Sequence, residues 1–237
     1  MSPDQKPIRL HLGCGEHYFP GYTNIDFPDG EHSVMSPKAD IFQDIRTLQY
    51  EPGSVAEIRS HHVFEHFSRA ETLALLRQWH GWLMPGGTLH IETPDFEGSI
   101  EKFLYADIRT QAGLGRHIFG SQEAKWAYHL DFWYAKKFRF VLKRFGFEHI
   151  RVQRFSNRLA QKMKGWRPLL NFFGDLLPDY FYRKHGGHKM PNIVVTATKS
   201  DKDVDFSAVI REILALYLVG KEDDRLLRVW TKEAGIK

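Results

Sequence analysis

Residues 8–15 read Ile8-Arg9-Leu10-His11-Leu12-Gly13-Cys14-Gly15, and a second apolar run ends in Asn24-Ile25-Asp26. An apolar run that stops on two glycines predicts a short strand followed by a tight turn. Glycine adopts left-handed backbone angles without a steric cost, so backbone N–H groups can approach a ligand closely there. A carboxylate at the end of the following strand is placed to accept both hydroxyls of a ribose. The bland alternative is that Gly13 and Gly15 only turn the chain and Asp26 caps a loop.

Working outward, short apolar runs bounded by turn residues recur at 8–12, 22–27, 39–42, 55–60, 88–92, 147–152 and 193–198, which predicts seven strands. Between the fourth and fifth, Ser68-Arg69-Ala70-Glu71 is a capping box, followed by Leu73, Leu76, Trp79 and Leu83 at helical spacing and a stop at Pro85-Gly86-Gly87. A second helix precedes the sixth run, with Phe138, Val141, Leu142 and Phe145 on one face and Gly146 as its C-terminal cap. Strands alternating with helices predict an α/β fold with a mostly parallel sheet covered on both sides. The connection from Gly15 to Thr23 is too short for a full crossover helix. After Lys199, Asp205 caps an apolar stripe of Phe206, Val209, Ile210, Ile213 and Tyr217 that stops at Gly220. That extension is expected to pack on its own domain or on a second subunit, making a homo-oligomer an open expectation.

A chain of 237 residues with 42% hydrophobic and 26% charged residues can bury a core, and it fits one domain with additions better than two. No apolar leader opens it and no run approaches the ~18 apolar residues that span a bilayer, so a cytoplasmic protein is expected. A single cysteine, Cys14, agrees with a reducing compartment. Its place between two glycines reads as packing. Eight Lys or Arg stand against Asp175 and Asp179 between Gln153 and Pro191, so of a total +4 the rest of the chain carries −2. A basic face for nucleic acid is thus disfavoured. The aromatic and basic segment 153–191 is a candidate for contact with phosphate, a lipid surface, a lipid-linked substrate or an acidic glycan, and otherwise reads as a solvated helical insertion.

The runs Leu-His-Leu-Gly-Cys-Gly-Glu, Pro-Gly-Tyr-Thr-Asn-Ile-Asp, His62-Val63-Phe64-Glu65-His66, Leu83-Met84-Pro85-Gly86-Gly87-Thr88-Leu89 and Pro94-Asp95, in this order, resemble the class I S-adenosylmethionine-dependent methyltransferases. The resemblance covers about 8–152, with 193–198 similar to that family's last, antiparallel strand. It implies a Rossmann-like, doubly wound, seven-stranded sheet over 1–200 and a helical extension over 201–237. It also implies S-adenosylmethionine as cofactor: Gly13, Cys14 and Gly15 against its methionine part, Asp26 on the ribose, Asp44 and Ile45 on the adenine, Ser60 and His61 beside the sulfonium. Two departures stand out. His11 replaces the usual acid of the first strand, and His17 replaces the third glycine.

His62, Glu65 and His66 place three titratable groups at the carboxyl end of the fourth strand, where open parallel sheets bind ligands. Methyl transfer to a hydroxyl needs its proton removed, and histidine can take a proton near neutral pH. His62, His66 and His129 are the candidate bases, and Asp95 after the fifth strand also points at the cleft or caps the next helix. His62, Glu65, His66 and His129 also form a candidate N/O ligand set for a divalent metal, similar to that of the small-RNA 2′-O-methyltransferases and the ubiquinone-pathway O-methyltransferases. The same run matches the inverted zinc-peptidase motif His-x-x-Glu-His, but that motif needs a helix interior, and the capping box starts the helix only at Ser68. The resemblance, which with this shortened first loop and His-x-x-Glu-His strand end is to glycan-modifying methyltransferases, implies O-methylation of a small-molecule or glycan acceptor, a sugar hydroxyl of a surface polysaccharide or glycosylated precursor in particular. The alternatives are a nucleic-acid 2′-O-methyltransferase and a binding protein that keeps the fold without catalysis.

Overall fold

The structure, a computed structural model, describes residues 7–27, 35–155, 190–220 and 224–236. Of the segment 153–191, only its two ends are therefore described. Seven strands form one sheet: β1 (Ile8–Leu12), β2 (Thr23–Asp26), β3 (Ile41–Phe42), β4 (Val55–His61), β5 (Leu83–Pro94), β6 (Phe147–Phe155) and β7 (Asn192–Lys199). Their order is β3-β2-β1-β4-β5-β7-β6, with β7 antiparallel to both its neighbours and the other pairings parallel. The chain winds from β1 to one edge and from β4 to the other, the doubly wound topology that the sequence predicts. All seven expected strands are present.

Alternation along the strands explains which face carries helices. Leu10, Leu12, Ile58, Leu89, Ile91, Ile193 and Val195 are fully buried on one face. They pack with the apolar stripes of α1 (Arg69–Trp82) and α4 (Ala135–Arg144), including Leu76, Trp79, Phe138 and Leu142. Burying each such side chain contributes about 1.5–3 kcal/mol. The capping box forms as read, with Glu71 N donating to Ser68 Oγ at 3.2 Å and Ser68 N donating to Glu71 Oε2 at 3.0 Å. The helix ends at Trp82, before the expected stop, because Leu83 already pairs with Val55 as the first residue of β5.

The opposite face differs from expectation. Among the described residues no α-helix intervenes between β1 and β4, where the connections are turns and one 3₁₀ turn, Ile45–Thr47. The alternate positions on this face are polar: Arg9, His11, Glu57, Arg59, His61, His90 and Glu92. Aromatic contacts replace a helix there. His11 stacks on Phe19 at 4.3 Å, and the His61 ring lies edge-on to His11 and His90 at 5.4 and 5.1 Å.

After β5 come α2 (Phe96–Phe103) and α3 (Ile108–Phe119), and the chain ends in α5 (Phe206–Ala215) and α6 (Asp224–Glu233). The C-terminal pair packs on its own domain. Ile210, Ile213 and Leu214 join the main core, Arg69 of α1 lies over the rings of Tyr217 and Trp230, and Arg144 pairs with Glu212 at 2.8 Å. No helix among the described residues is long and apolar enough to cross a membrane.

Candidate functional site

A cavity of about 860 Å³ opens at the carboxyl ends of β1, β2 and β4, lined among others by Gly13, Gly15, Asp26, Ile45, His61 and His66. Its size matches sites that enclose a small organic cofactor. A larger groove of about 1310 Å³ opens instead beside Ile8 and Ser54, at the amino ends of the strands, the wrong end of a parallel sheet for ligand binding.

Both glycines of the first turn have left-handed backbones, φ 66° and 52°. At Gly13 the demand is also steric, since a Cβ there would fall 2.0 Å from Val63 Cγ2. The glycine turn therefore packs directly on the residue that follows His62. Gly15 N donates to Asp26 Oδ2 at 2.6 Å and Phe27 N to Oδ1 at 2.7 Å, which fixes the orientation of a carboxylate only 6% exposed. Cys14 is buried, and burial pushes its thiol up to about 12, so it packs rather than reacts. Asp44 and Ile45 line the cavity, but the Asp44 carboxylate is already held by Arg46, with Nη2 2.6 Å from Oδ2.

His11 lines the cavity and is built into the packing beneath it. Asn24 Nδ2 donates to the Phe19 and Tyr22 carbonyls, so its Oδ1 faces His11 Nδ1 at 3.1 Å and makes that nitrogen the donor. Burial holds His11 and His61 below the ordinary imidazole range, His61 at about 4, and neighbouring His90, His11 and Arg59 add to the effect on His61. Ser60 points to the opposite, buried face and does not line the cavity.

At the other end of the cavity a turn after β4 carries the histidine cluster. His62 has a left-handed backbone, φ 54°, a strain seen where a site demands it. Its Nδ1 donates to Glu65 Oε1 at 3.2 Å, and its Nε2 faces Glu92 Oε1 at 3.6 Å. Burial works against the charged form, but the bonds to Glu65 and Glu92 outweigh it and lift His62 to about 10. Among the candidate bases His62 is the one with both nitrogens engaged.

Glu65 is 2% exposed, and its Oε2 has no hydrogen-bond partner among the described residues. Its carboxyl is held below the ordinary range because His62, His66 and His129 together outweigh burial. Its backbone carbonyl accepts from Leu130 N at 2.8 Å, which draws the 128–131 loop and His129 onto the turn. That loop is pinned from below by a buried pair, Lys137 Nζ on both Asp131 oxygens at 2.7 Å. His66 Nδ1 donates to the Tyr128 carbonyl at 3.1 Å, and the rings of His66 and His129 meet at 4.6 Å. Glu65, His66 and His129 can bring one ligand atom each within 4.8 Å of one another.

Asp95 does not join the cluster. It is fully buried, with Oδ2 bonded to Arg154 Nε at 2.5 Å, and it stands at the start of α2 without capping it through its side chain. Three residues beside the cluster were not foreseen: His117 of α3, bonded through Nε2 to the Pro191 carbonyl at 2.9 Å, and the pair Glu92 and Asn192. They arrive from α3, β5 and β7, and no local spacing links them to His62.

No family model and no curated protein matches this chain. Among solved structures it is similar to a SAM-dependent methyltransferase from Archaeoglobus fulgidus, with TM-score 0.50 and 14% identity over 82% of this chain and 87% of the other. Weaker likenesses include a SAM-dependent methyltransferase of Methanosarcina mazei, TM-score 0.46 at 13% identity, covering 84% of this chain and 95% of the other. Another is a phosphoethanolamine N-methyltransferase 2 of Haemonchus contortus in complex with S-adenosyl-L-methionine, TM-score 0.45 at 14% identity, covering 84% of this chain and 50% of the other. At such identities the likeness shows the fold: the seven-stranded, Rossmann-like sheet found in S-adenosylmethionine-dependent methyltransferases.

Proposed function

We propose that this chain is an S-adenosylmethionine-dependent O-methyltransferase, with a sugar hydroxyl of a surface polysaccharide or glycosylated precursor as its acceptor. The observation that carries the reading is one cavity that joins the Gly13–Gly15 turn, the oriented Asp26 carboxylate and the histidine cluster. The residues fit the cofactor. Backbone N–H groups of Gly15 and Phe27 hold one Asp26 oxygen each, which fixes the carboxylate at the end of β2 where an acid meets two ribose hydroxyls. Phe27, Met35 and Ile45 wall the cavity where a flat ring would lie.

When bound, the cofactor supplies a methyl group activated by the positive sulfur. The chain's own residues hold the acceptor in line and provide for its proton. His66 lines the cavity's end with buried Glu65 and His129 grouped beside it, and burial holds His129 down at about 4, so its ring is neutral. Trp126 lines the same end and offers an aromatic face to the C–H side of a sugar ring.

The test is calorimetric titration with S-adenosylhomocysteine. Micromolar binding, ~8 kcal/mol, is expected, weakened at least tenfold by Asp26→Ala with folding intact. Absence of binding by the wild-type chain at millimolar ligand would overturn the reading. A screen of nucleotide sugars and glycans, with methyl transfer as the readout, then tests the acceptor class.

A further inference from the structure

We infer that the 3₁₀ turn Lys125–Ala127 is an acceptor-recognition element, and that the acceptor it selects is an anionic sugar, one carrying a carboxylate or a phosphoryl group. This rests on the methyl-transfer reading and narrows its acceptor. Three features of the 119–131 loop carry it.

First, the loop is built to hold this turn in place. Gly120 and Tyr128 pair as an antiparallel bridge, His129 N donates to the Phe119 carbonyl at 3.2 Å, and Ala127 N donates to that of Ala124 at 3.0 Å. Gly120 has φ 86°, and a Cβ there would fall 2.1 Å from the Ala127 carbonyl oxygen, so the two sides of the loop meet at backbone distance. Ala127 is fully buried under the turn, and Leu130 N on the Glu65 carbonyl ties the loop to the turn after β4. Side chains on such a loop are presented in a fixed direction, with less ordering to be done when a ligand binds.

Second, both residues at the tip, Lys125 and Trp126, line the cavity. The Trp126 ring stands 6.2 Å from that of His66, so a sugar ring packed on the indole would sit next to that imidazole.

Third, Lys125 is the cation left over. The other carboxylates and the arginine lining the cavity are engaged. Asp26 accepts from two backbone N–H groups, Arg46 pairs with Asp44 and Glu71 at 2.6 and 3.0 Å, and Glu16 accepts from Ser36 N at 3.4 Å. Lys125 is exposed and has no hydrogen bond or ion pair with any described residue. An ammonium is a compact point charge with three donors, and its charge-assisted bonds go to carboxylate or phosphate oxygens. A neutral sugar would leave that charge unused.

The experiment measures binding of glucose, glucuronate and glucose 6-phosphate to the full chain saturated with S-adenosylhomocysteine, by saturation-transfer NMR and calorimetry. The wild-type chain should hold at least one of the anionic sugars at least tenfold more tightly than glucose, a ratio that shrinks as salt is raised. Which of the two binds more tightly separates carboxylate from phosphoryl recognition. Lys125→Gln should bring the ratio within twofold and leave S-adenosylhomocysteine affinity unchanged, and Trp126→Ala should weaken all three sugars. Lys136→Gln removes the same charge from an exposed position on α4 and should preserve the ratio. The inference is overturned if glucose binds as well as both anionic sugars, if neither anionic sugar binds at millimolar concentration, or if Lys125→Gln leaves the ratio unchanged. Loss of S-adenosylhomocysteine affinity in Lys125→Gln also overturns it, by assigning the ammonium to the cofactor. A wild-type chain that binds no S-adenosylhomocysteine overturns the methyltransferase reading, whereas one that binds it without preference among the sugars overturns this inference alone.

Discussion

Replacing Gly13 by alanine tests whether the glycine turn after β1 and the histidine turn after β4 are packed as one unit. The added Cβ would lie 2.0 Å from Val63 Cγ2 and 3.1 Å from Val63 Cβ and Cγ1. Carbon atoms rest at about 3.5–4.0 Å, so the two turns must separate by roughly 1.5 Å or more. Overpacking of this kind costs about 1–3 kcal/mol. The left-handed backbone at φ 66° adds about 1–2 kcal/mol for an L-residue, and a less flexible unfolded chain returns about 0.4–1. The net expectation is a loss of about 2–4 kcal/mol in urea unfolding, with S-adenosylhomocysteine affinity reduced more than tenfold because His62 and Asp26 no longer hold their spacing. Val63→Ala removes the two offending methyl groups, so the double variant should recover the overpacking part, about 1–3 kcal/mol relative to additivity, and keep the backbone part. Two results would refute the reasoning: Gly13→Ala within about 0.5 kcal/mol of wild type, or a double variant no better than the sum of the singles.

Two further outcomes follow from buried charges. Lys137→Met leaves Asp131 buried without its cation and should cost about 3–5 kcal/mol in denaturant unfolding, loosening the loop that carries His129; a loss under 1 kcal/mol would show the pair to be dispensable. His80 is held down to about 4 by burial, with Lys199 adding to it, against 6.5 when unfolded. The folded state therefore resists a proton that the unfolded state accepts, so stability is full above pH ~6.5 and falls as pH drops through that value toward 4. His80→Leu should flatten the wild-type fall in urea midpoint between pH 7.5 and 5, and an unchanged slope would count against this source.

The fold was legible because its signals are local. Leu10 and Leu12 alternate with Arg9 and His11, the Ser68–Glu71 box is four residues long, and Gly146 directly follows its helix. The place where helix and strand meet at Leu83 was not, because α1 yields there to pairing with Val55, a contact 28 positions away. The absence of a helix between β1 and β4 among the described residues was only half visible: the short Gly15–Thr23 link showed that no helix fits there, but not that the rings of His11, Phe19 and His61 would pack together instead.

Within the site the same division holds. The residue types and order alone placed Gly13, Gly15, Asp26, His62, Glu65 and His66 at strand ends, since strand periodicity and turn chemistry act over a few residues. Which histidine is engaged and which is open to a ligand was decided only in three dimensions. His62 is taken up by Glu92, which Asn192 holds in turn, from strands 30 and 130 residues away in the chain, while the Glu65 carbonyl draws His129 to His66. Hydrogen bonds between groups so far apart leave no periodic trace in the sequence, because they are set by the stacking order of the sheet rather than by the spacing of residues along the chain.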